Sequence, residues 1–175
     1  MKAFYFAPQG NRLRYRDNRL IRVGITHKVE GPLELCGNGL HGSERIIDAL
    51  SYAGTSRLYR TDHGGKILKG DDKLCSETRR YTARYELRDI LLVFGRKSAE
   101  RTFYLCKPYM SESDYSLVVE WLQTGAERLR AAAWDAAWAA AGAAAGDAAR
   151  AAARAAEVKW QKRHLDKLMR GLFNE

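Results

Sequence analysis

The residues of this chain with the most chemical potential stand in its first half. Cys36, His41, His63 and Cys75 carry the thiols and imidazoles that bind zinc. Their spacings, with four, 21 and 11 residues between, match no compact zinc motif. The expectation is therefore buried thiols, a turn histidine and no metal. Arg12, Arg14, Arg16, Arg19 and Arg22, with Lys2 and Lys28 against Asp17 and Glu30, give residues 1–30 a net charge of +5. Strict alternation in "RLRYR" places Arg12, Arg14 and Arg16 on one strand face and Leu13 and Tyr15 on the other. Such a face could hold phosphates, with Phe4, Tyr5 and Tyr15 near for stacking, or an acidic protein patch; a solvated strand face is the competing reading. "GDDK" (Gly70–Lys73) reads as a turn with an internal ion pair. Walker, dinucleotide-fingerprint, G-x-S-x-G and H-E-x-x-H signatures are absent.

Composition frames these residues. The chain has 175 residues, a formal charge of +9 and a pI near 9.6, which points to an anionic partner. Its three cysteines are odd in number and far apart, which suits a reducing compartment. "MKAFYFAPQGNRLRYR" lacks the apolar core of a secretory signal, so the expected location is the cytoplasm.

The elements that must position the chemistry divide by composition. Residues 1–85 read as a β-rich domain of short strands: "KAFYFA", "RLRYR", "RLIRVGI", "THKVE", "SRLYRTD" and "GKILKG", the last two broken at His63-Gly64-Gly65. One helix is expected from Ser43, as N-cap, to Ala53. After about Ser76 the chain turns helical, and residues 86–175 form a helical region. "SESD" opens a helix that stops at Gly125, and Thr124-Gly125-Ala126-Glu127 reads as a capping box. From Ala131 to Ala156, 18 of 26 residues are alanine. Asp135, Asp147 and Arg150 make this run too charged to span a bilayer, and alanine's propensity argues for one helix over about 127–156. Trp134, Trp138, Gly142 and Gly146 mark where a partner helix could pack closely. An amphipathic terminal helix is expected over about 157–172.

Two resemblances add to this. "CGNGLHGSERIIDALSYA", "GDDK", "YSLVVEWLQTGAERLRAAAWDAAWAAA" and "KWQKRHLDKLM" together resemble a phage and prophage protein family. Its members join a "C-x-x-GLH" β-rich domain to an Ala/Trp-rich repeat helix with a basic tail, and the resemblance implies a viral accessory protein. Locally, "GNGLHGSERIIDALSYA" is similar to the strand–turn–helix segment of ADP-ribosyltransferases. That resemblance implies a split β-sheet, His41 at the nicotinamide-stacking position, Tyr52 at the helix tyrosine, and Gly39, His41 and Ser43 against NAD. An arginine of "RLRYR" would meet the NAD ribose. The catalytic glutamate of a later strand has no counterpart here, because Glu77 and Glu86 read as lying at a helical transition.

The expectation is thus an α+β protein that acts by binding, without a cofactor. Its proposed partner is a host protein or nucleoprotein complex, as for an anti-CRISPR-like inhibitor of host defence. Contact would run through Arg12, Arg14, Arg16, Arg19 and Arg22, including nucleic acid, or through Trp134, Trp138, Gly142 and Gly146. An NAD-using ADP-ribosyltransferase-like enzyme and a self-associating structural protein are the alternatives.

Overall fold

The computed structural model describes residues 1–15, 17–104, 107–143 and 147–173, with 102, 104, 134, 138–143, 147–155 and 171–173 described in backbone only. The protein is α+β and divides into two compact units, Met1–Arg88 and Asp89–Glu175.

The first unit is an antiparallel sheet built on one long hairpin. Strands β4 (Arg57–Lys69) and β5 (Leu74–Glu86) pair along most of their length, with irregularities at Arg60/Thr61 and Gly64/Ile67. The His63-Gly64-Gly65 break expected from the sequence is such an irregularity inside a single strand, because Gly65, at φ +70, supplies the bulge without ending the ladder. β5 corrects the expectation of a helix after Ser76. From Arg79 to Glu86 its side chains alternate between more buried and exposed, the period of a strand with one face on a core. β1 (Lys2–Phe6) pairs with the outer edge of β4. On its other edge β5 serves two short strands in turn: β2 (Thr26–Lys28) against Thr78–Arg80, and β3 (Leu40–Gly42) against Leu74–Ser76. Phe4 and Ser43 then exchange backbone hydrogen bonds of 2.8 and 3.0 Å, so β1 and β3 meet and that end of the sheet curls into a ring.

Two glycines permit the ring. A Cβ on Gly42 would sit 2.7 Å from His63 Nε2, and one on Gly39, at φ +147, would sit 2.9 Å from the Cys75 Cβ. The core inside holds Ala3, Phe6, Leu40, Leu58 and Leu74, each at most 3% exposed. α1 (Ile46–Leu50) is shorter than expected, and its N-cap is Arg45. Ser43 does not cap it, because its backbone is already committed to Phe4.

The described residues of "RLRYR" and "RLIRVGI" form no strand. Arg12 makes one isolated bridge to Leu20, and Tyr15 turns into the left-handed region at φ +59. The segment folds on itself as a loop, so alternation there reflects no ladder. Tyr15, expected on the strand face opposite the arginines, is 94% exposed.

The second unit is helical. α2 (Arg88–Tyr104) runs through Gly95 without a break. α3 (Glu112–Thr124) starts where the Ser111 hydroxyl accepts the Asp114 N–H at 3.1 Å and stops at Gly125, φ +66, whose N–H returns to Trp121 O. Thr124 closes α3 and does not begin a capping box; its hydroxyl donates to Glu120 O at 2.7 Å and accepts the Ala126 N–H. α4 (Glu127–Ala143) packs Ala133 with Phe103, Val118 and Leu122. α5 (Asp147–Phe173) then runs through residue 157 with no break, since no glycine or proline lies between Asp147 and Arg170 to end it. The alanine run is therefore shared by two helices. α4 carries Trp134, Trp138 and Gly142 in backbone description only; Gly146, like Arg16, lies outside the described residues. Among the described residues, no helix is long and apolar enough to cross a membrane.

Candidate functional site

The site follows from the place where β5 changes neighbours. Thr78 pairs with Lys28 of β2, Ser76 pairs with Leu40 of β3, and the two short strands diverge from that point. The fork opens a cavity of about 590 Å³, walled by Phe4–Phe6 of β1, by residues 36–43, and by part of the loop before β2.

Arg79 lies at its base. Only 2% of the residue is exposed, yet it lines the cavity. Its guanidinium lies 3.8 Å from the Tyr5 ring centre and 5.1 Å from that of Tyr81. Nε and Nη2 donate to the Tyr81 hydroxyl at 3.1 and 2.7 Å, and Nη1 donates to His41 O. A guanidinium has five N–H groups, so one on Nη1 and one on Nη2 have no acceptor among the described residues. No carboxylate lies within ion-pair distance of Arg79 among the described residues. A buried cation held by ring faces and neutral oxygens keeps a strong field, because burial removes screening water and no carboxylate among the described residues pairs with it.

A second layer holds that cation in place. Because Tyr81 Oη accepts twice from Arg79, its own proton is free for His27 Nδ1, 3.0 Å away. Burial, first, and the charges of Arg19 and Arg79 push the His27 pKa down, which keeps Nδ1 an acceptor. Tyr59 and His27 meet the Tyr81 ring edge-on at 5.4 and 5.3 Å. Desolvation also raises the Tyr81 pKa, so the phenol stays protonated. Behind Arg79 lies a fully satisfied group. His63 Nδ1 is 2.7 Å from Ser76 Oγ, and Nε2 is 3.1 Å from Thr61 Oγ1. Burial lowers the His63 pKa to about 3.

The rim is more polar. Lys73 donates to the Tyr52 hydroxyl at 3.1 Å, and that hydroxyl donates to the Asp72 carboxylate. "GDDK" is thus a turn, as expected, but Tyr52 stands between its acid and its base, and Asp72 and Lys73 form no ion pair with each other. His41 Nε2 accepts the Cys36 N–H at 3.2 Å, which ties the ring to the 36–39 loop. Burial, then the Arg79 and Lys73 charges, lowers its pKa, so His41 is neutral at pH 7.

Four sequence-derived candidates converge here: Gly39, His41, Ser43 and Tyr52 all line the cavity. Of the arginines, Arg14 lines it too. Arg12 instead donates to Asn18 O at 2.9 Å. Arg19 grips Asp17 through two bonds of 2.5 and 2.7 Å, and Arg22 is exposed. The arginines therefore make no common strand face. Cys36, His41, His63 and Cys75 are not gathered either: among the described residues no three His, Cys, Asp or Glu side chains form a group able to hold a metal. Glu77 and Glu86 both lie in β5 but outside the cavity. Glu77 accepts the Lys66 N–H, and Glu86 accepts the Ser56 hydroxyl. Asp17, the carboxylate that lines the cavity, is held by Arg19, which lowers its pKa.

Arg79 itself was missed because "ETRRYTARYE" is rich in Arg, Glu and Ala and reads as helix. The available signal was the alternation of Arg79 and Tyr81 with Arg80 and Thr82, which only strand pairing makes inward and outward.

Residues 11–93 of the chain match the family model described as a domain of unknown function, DUF7666. The matched stretch takes in the loop before β2, the 36–43 segment, α1, β4 and β5, and so most of the cavity wall. No curated protein and no solved structure matches the chain.

Proposed function

We propose that the chain acts by binding, and that the fork in its N-terminal unit takes a small anionic molecule bearing a ring, of nucleoside-phosphate chemistry. Arg79 carries the reading: a 2%-exposed guanidinium lining a cavity, with two N–H groups unclaimed and no carboxylate paired to it among the described residues. The cavity volume falls within the roughly 300–1,000 Å³ of small-molecule sites. Phe4, Tyr5 and Tyr15 supply aromatic surface for a planar ring, and Arg79 and Lys73 supply positive charge at its base and rim.

Calorimetric titration with AMP, ADP, inorganic phosphate and uncharged adenosine tests this. The phosphate-bearing ring compounds bind, and adenosine binds at least tenfold more weakly. Arg79→Gln weakens the phosphate compounds by about 2–5 kcal/mol, the usual loss when a buried charge partner is removed. Binding by none of the four, or undiminished binding by a folded Arg79→Gln variant, overturns the reading.

A transferase reading has one specific support: every residue named by the ADP-ribosyltransferase resemblance, Gly39, His41, Ser43 and Tyr52, lines this cavity. NAD would then be the ligand. The bond from ribose C1′ to nicotinamide nitrogen would break with its electrons on nicotinamide, and an acceptor nucleophile would bond to C1′ and release its proton. The absence of a free carboxylate on the cavity wall among the described residues places this second. Transfer of label from NAD to a protein acceptor, lost in His41→Ala, would raise it to first. Inhibition of a host defence complex is a reading of the same binding class, supported by the basic composition and the phage resemblance rather than by this cavity.

A further inference from the structure

The helical unit carries a different kind of positive charge. Lys159, Arg163, Lys167 and Arg170 follow one another along α5 at steps of four, four and three residues, and all are exposed. At 100° per residue they fall within an arc of about 80° and extend over about 16 Å of helix axis. Leu165 and Met169, 0% exposed, lie about 140° round the same helix from the middle of that arc.

The other side of the observation is pairing. Elsewhere in this unit, four exposed cations sit beside carboxylates, Lys97 by Glu100 at 2.7 Å, Arg101 by Glu157 at 2.9 Å, Arg128 by Glu120 at 3.0 Å and Arg130 by Glu127 at 2.5 Å, while Lys107 lies 4.5 Å from the Tyr115 ring centre. None of the four α5 cations has an ion-pair partner among the described residues, although Asp166 lies only about 20° outside their arc.

We propose that this face of α5 binds the sugar–phosphate backbone of double-stranded nucleic acid. Duplex DNA presents about one negative charge per 1.7 Å of its axis, a continuous polyanion that an unpaired row of this length can follow without matching individual groups. An amphipathic helix that enters an anionic membrane needs a free apolar face beside its cations. Here Leu165 and Met169 of that face are fully buried within the protein, and Val158 is its exposed member, at 41%. The cationic face shares no residue with the β-fork or with the N-terminal arginines, two of which are engaged by Asn18 and Asp17.

The test is fluorescence anisotropy of the full chain with a labelled 20-base-pair duplex of random sequence, at 25 to 200 mM salt. Binding is expected to fall with salt at a log–log slope of about −3.6, four contacts at about 0.9 each. Replacing Lys159, Arg163, Lys167 and Arg170 with Gln lowers affinity at least tenfold at 50 mM salt. Replacing four exposed cations of the strand unit, Lys2, Lys28, Arg80 and Arg84, changes it less than threefold. Should the α5 quadruple variant lose helix by circular dichroism, Arg163→Gln and Arg170→Gln singly decide, each flattening the slope by about one. No binding at 25 mM salt, equal losses in both quadruple variants, or tighter binding to phosphatidylserine vesicles or polyglutamate than to the duplex each overturns the proposal.

Discussion

The two units bury different things. The strand unit encloses Arg79, His27, His63, Ser43, Thr61 and Ser76, each at most 4% exposed. Buried residues described in the helical unit are apolar: Phe94, Phe103, Val118, Leu122, Leu129, Ala133, Leu165 and Met169. Polar burial is unfavourable unless every donor and acceptor is matched, so each instance asks for a reason. His63 has both ring nitrogens matched, and its role is accounted for by structure. Arg79 retains two N–H groups without an acceptor among the described residues and a full charge, which is why the proposed ligand is placed against it. The difference teaches where to look for function: at the polar group whose bonding is incomplete, rather than at polar burial as such.

The comparison can be broken at several strengths. Deleting apolar volume should not tell the units apart. Leu58→Ala and Leu165→Ala, both at sites 0% exposed, should each lower the unfolding free energy by about 2–5 kcal/mol in urea titrations. A difference far outside that range would mean that one core is loosely packed. Acid should act on the strand unit through His63. Its folded pKa, near 3, lies below the ordinary value of 6.5, so the unfolded chain takes up the proton first. The stabilisation is complete above pH 6.5 and falls by about 1.4 kcal/mol for each pH unit below it, until pH approaches 3. Unfolding free energies between pH 7.5 and 5 would show this slope, and His63→Gln should flatten it by one proton. A flat native profile would remove the histidine from the account.

Smaller effects sharpen the contrast. Gly125→Ala, which forces an alanine to φ +66 at the end of α3, should cost about 1 kcal/mol in thermal unfolding, as should loss of the Ser111 cap in Ser111→Ala. Smallest of all is the stability effect of Arg79→Met. A buried charge kept for a ligand can be exchanged for an apolar side chain with little change, or a gain, in stability. The expectation is an unfolding free energy within about 1 kcal/mol of the native chain or above it, together with lost ligand binding. A drop beyond about 3 kcal/mol would make Arg79 a structural residue.

How much of this was written in the residues differs element by element. The α+β division was legible, because turn residues crowd the first half and alanine the second. The unit boundary at Arg88/Asp89 falls three residues past the expected 85/86. Gly125 as a helix stop was legible from local chemistry alone. β5 was not, since Arg, Glu and Ala suit a helix, and only the long partner β4 imposes extension on them. "RLRYR" failed in the opposite direction: its alternation has strand period, but no neighbouring strand accepts it. At the site, Gly39, His41, Ser43 and Tyr52 were within reach because they cluster in one segment. Arg79 was not, because its role depends on a fork formed by β2 and β3, which lie far upstream.

The dual pairing of β5 also has a consequence for the order of assembly. The β4–β5 hairpin closes through a turn at residues 70–73, whereas β1, β2 and β3 must reach it across some 30 to 60 residues of chain. Local contacts form ahead of distant ones, since loop closure grows more unfavourable with length. By that measure the hairpin comes first, then β3, β2 and β1 in order of increasing separation, and the cavity, walled in part by β1, exists only once every strand has docked. A bound anion would clamp shut the latest-closing part of the unit, and its occupancy would report that folding there had finished.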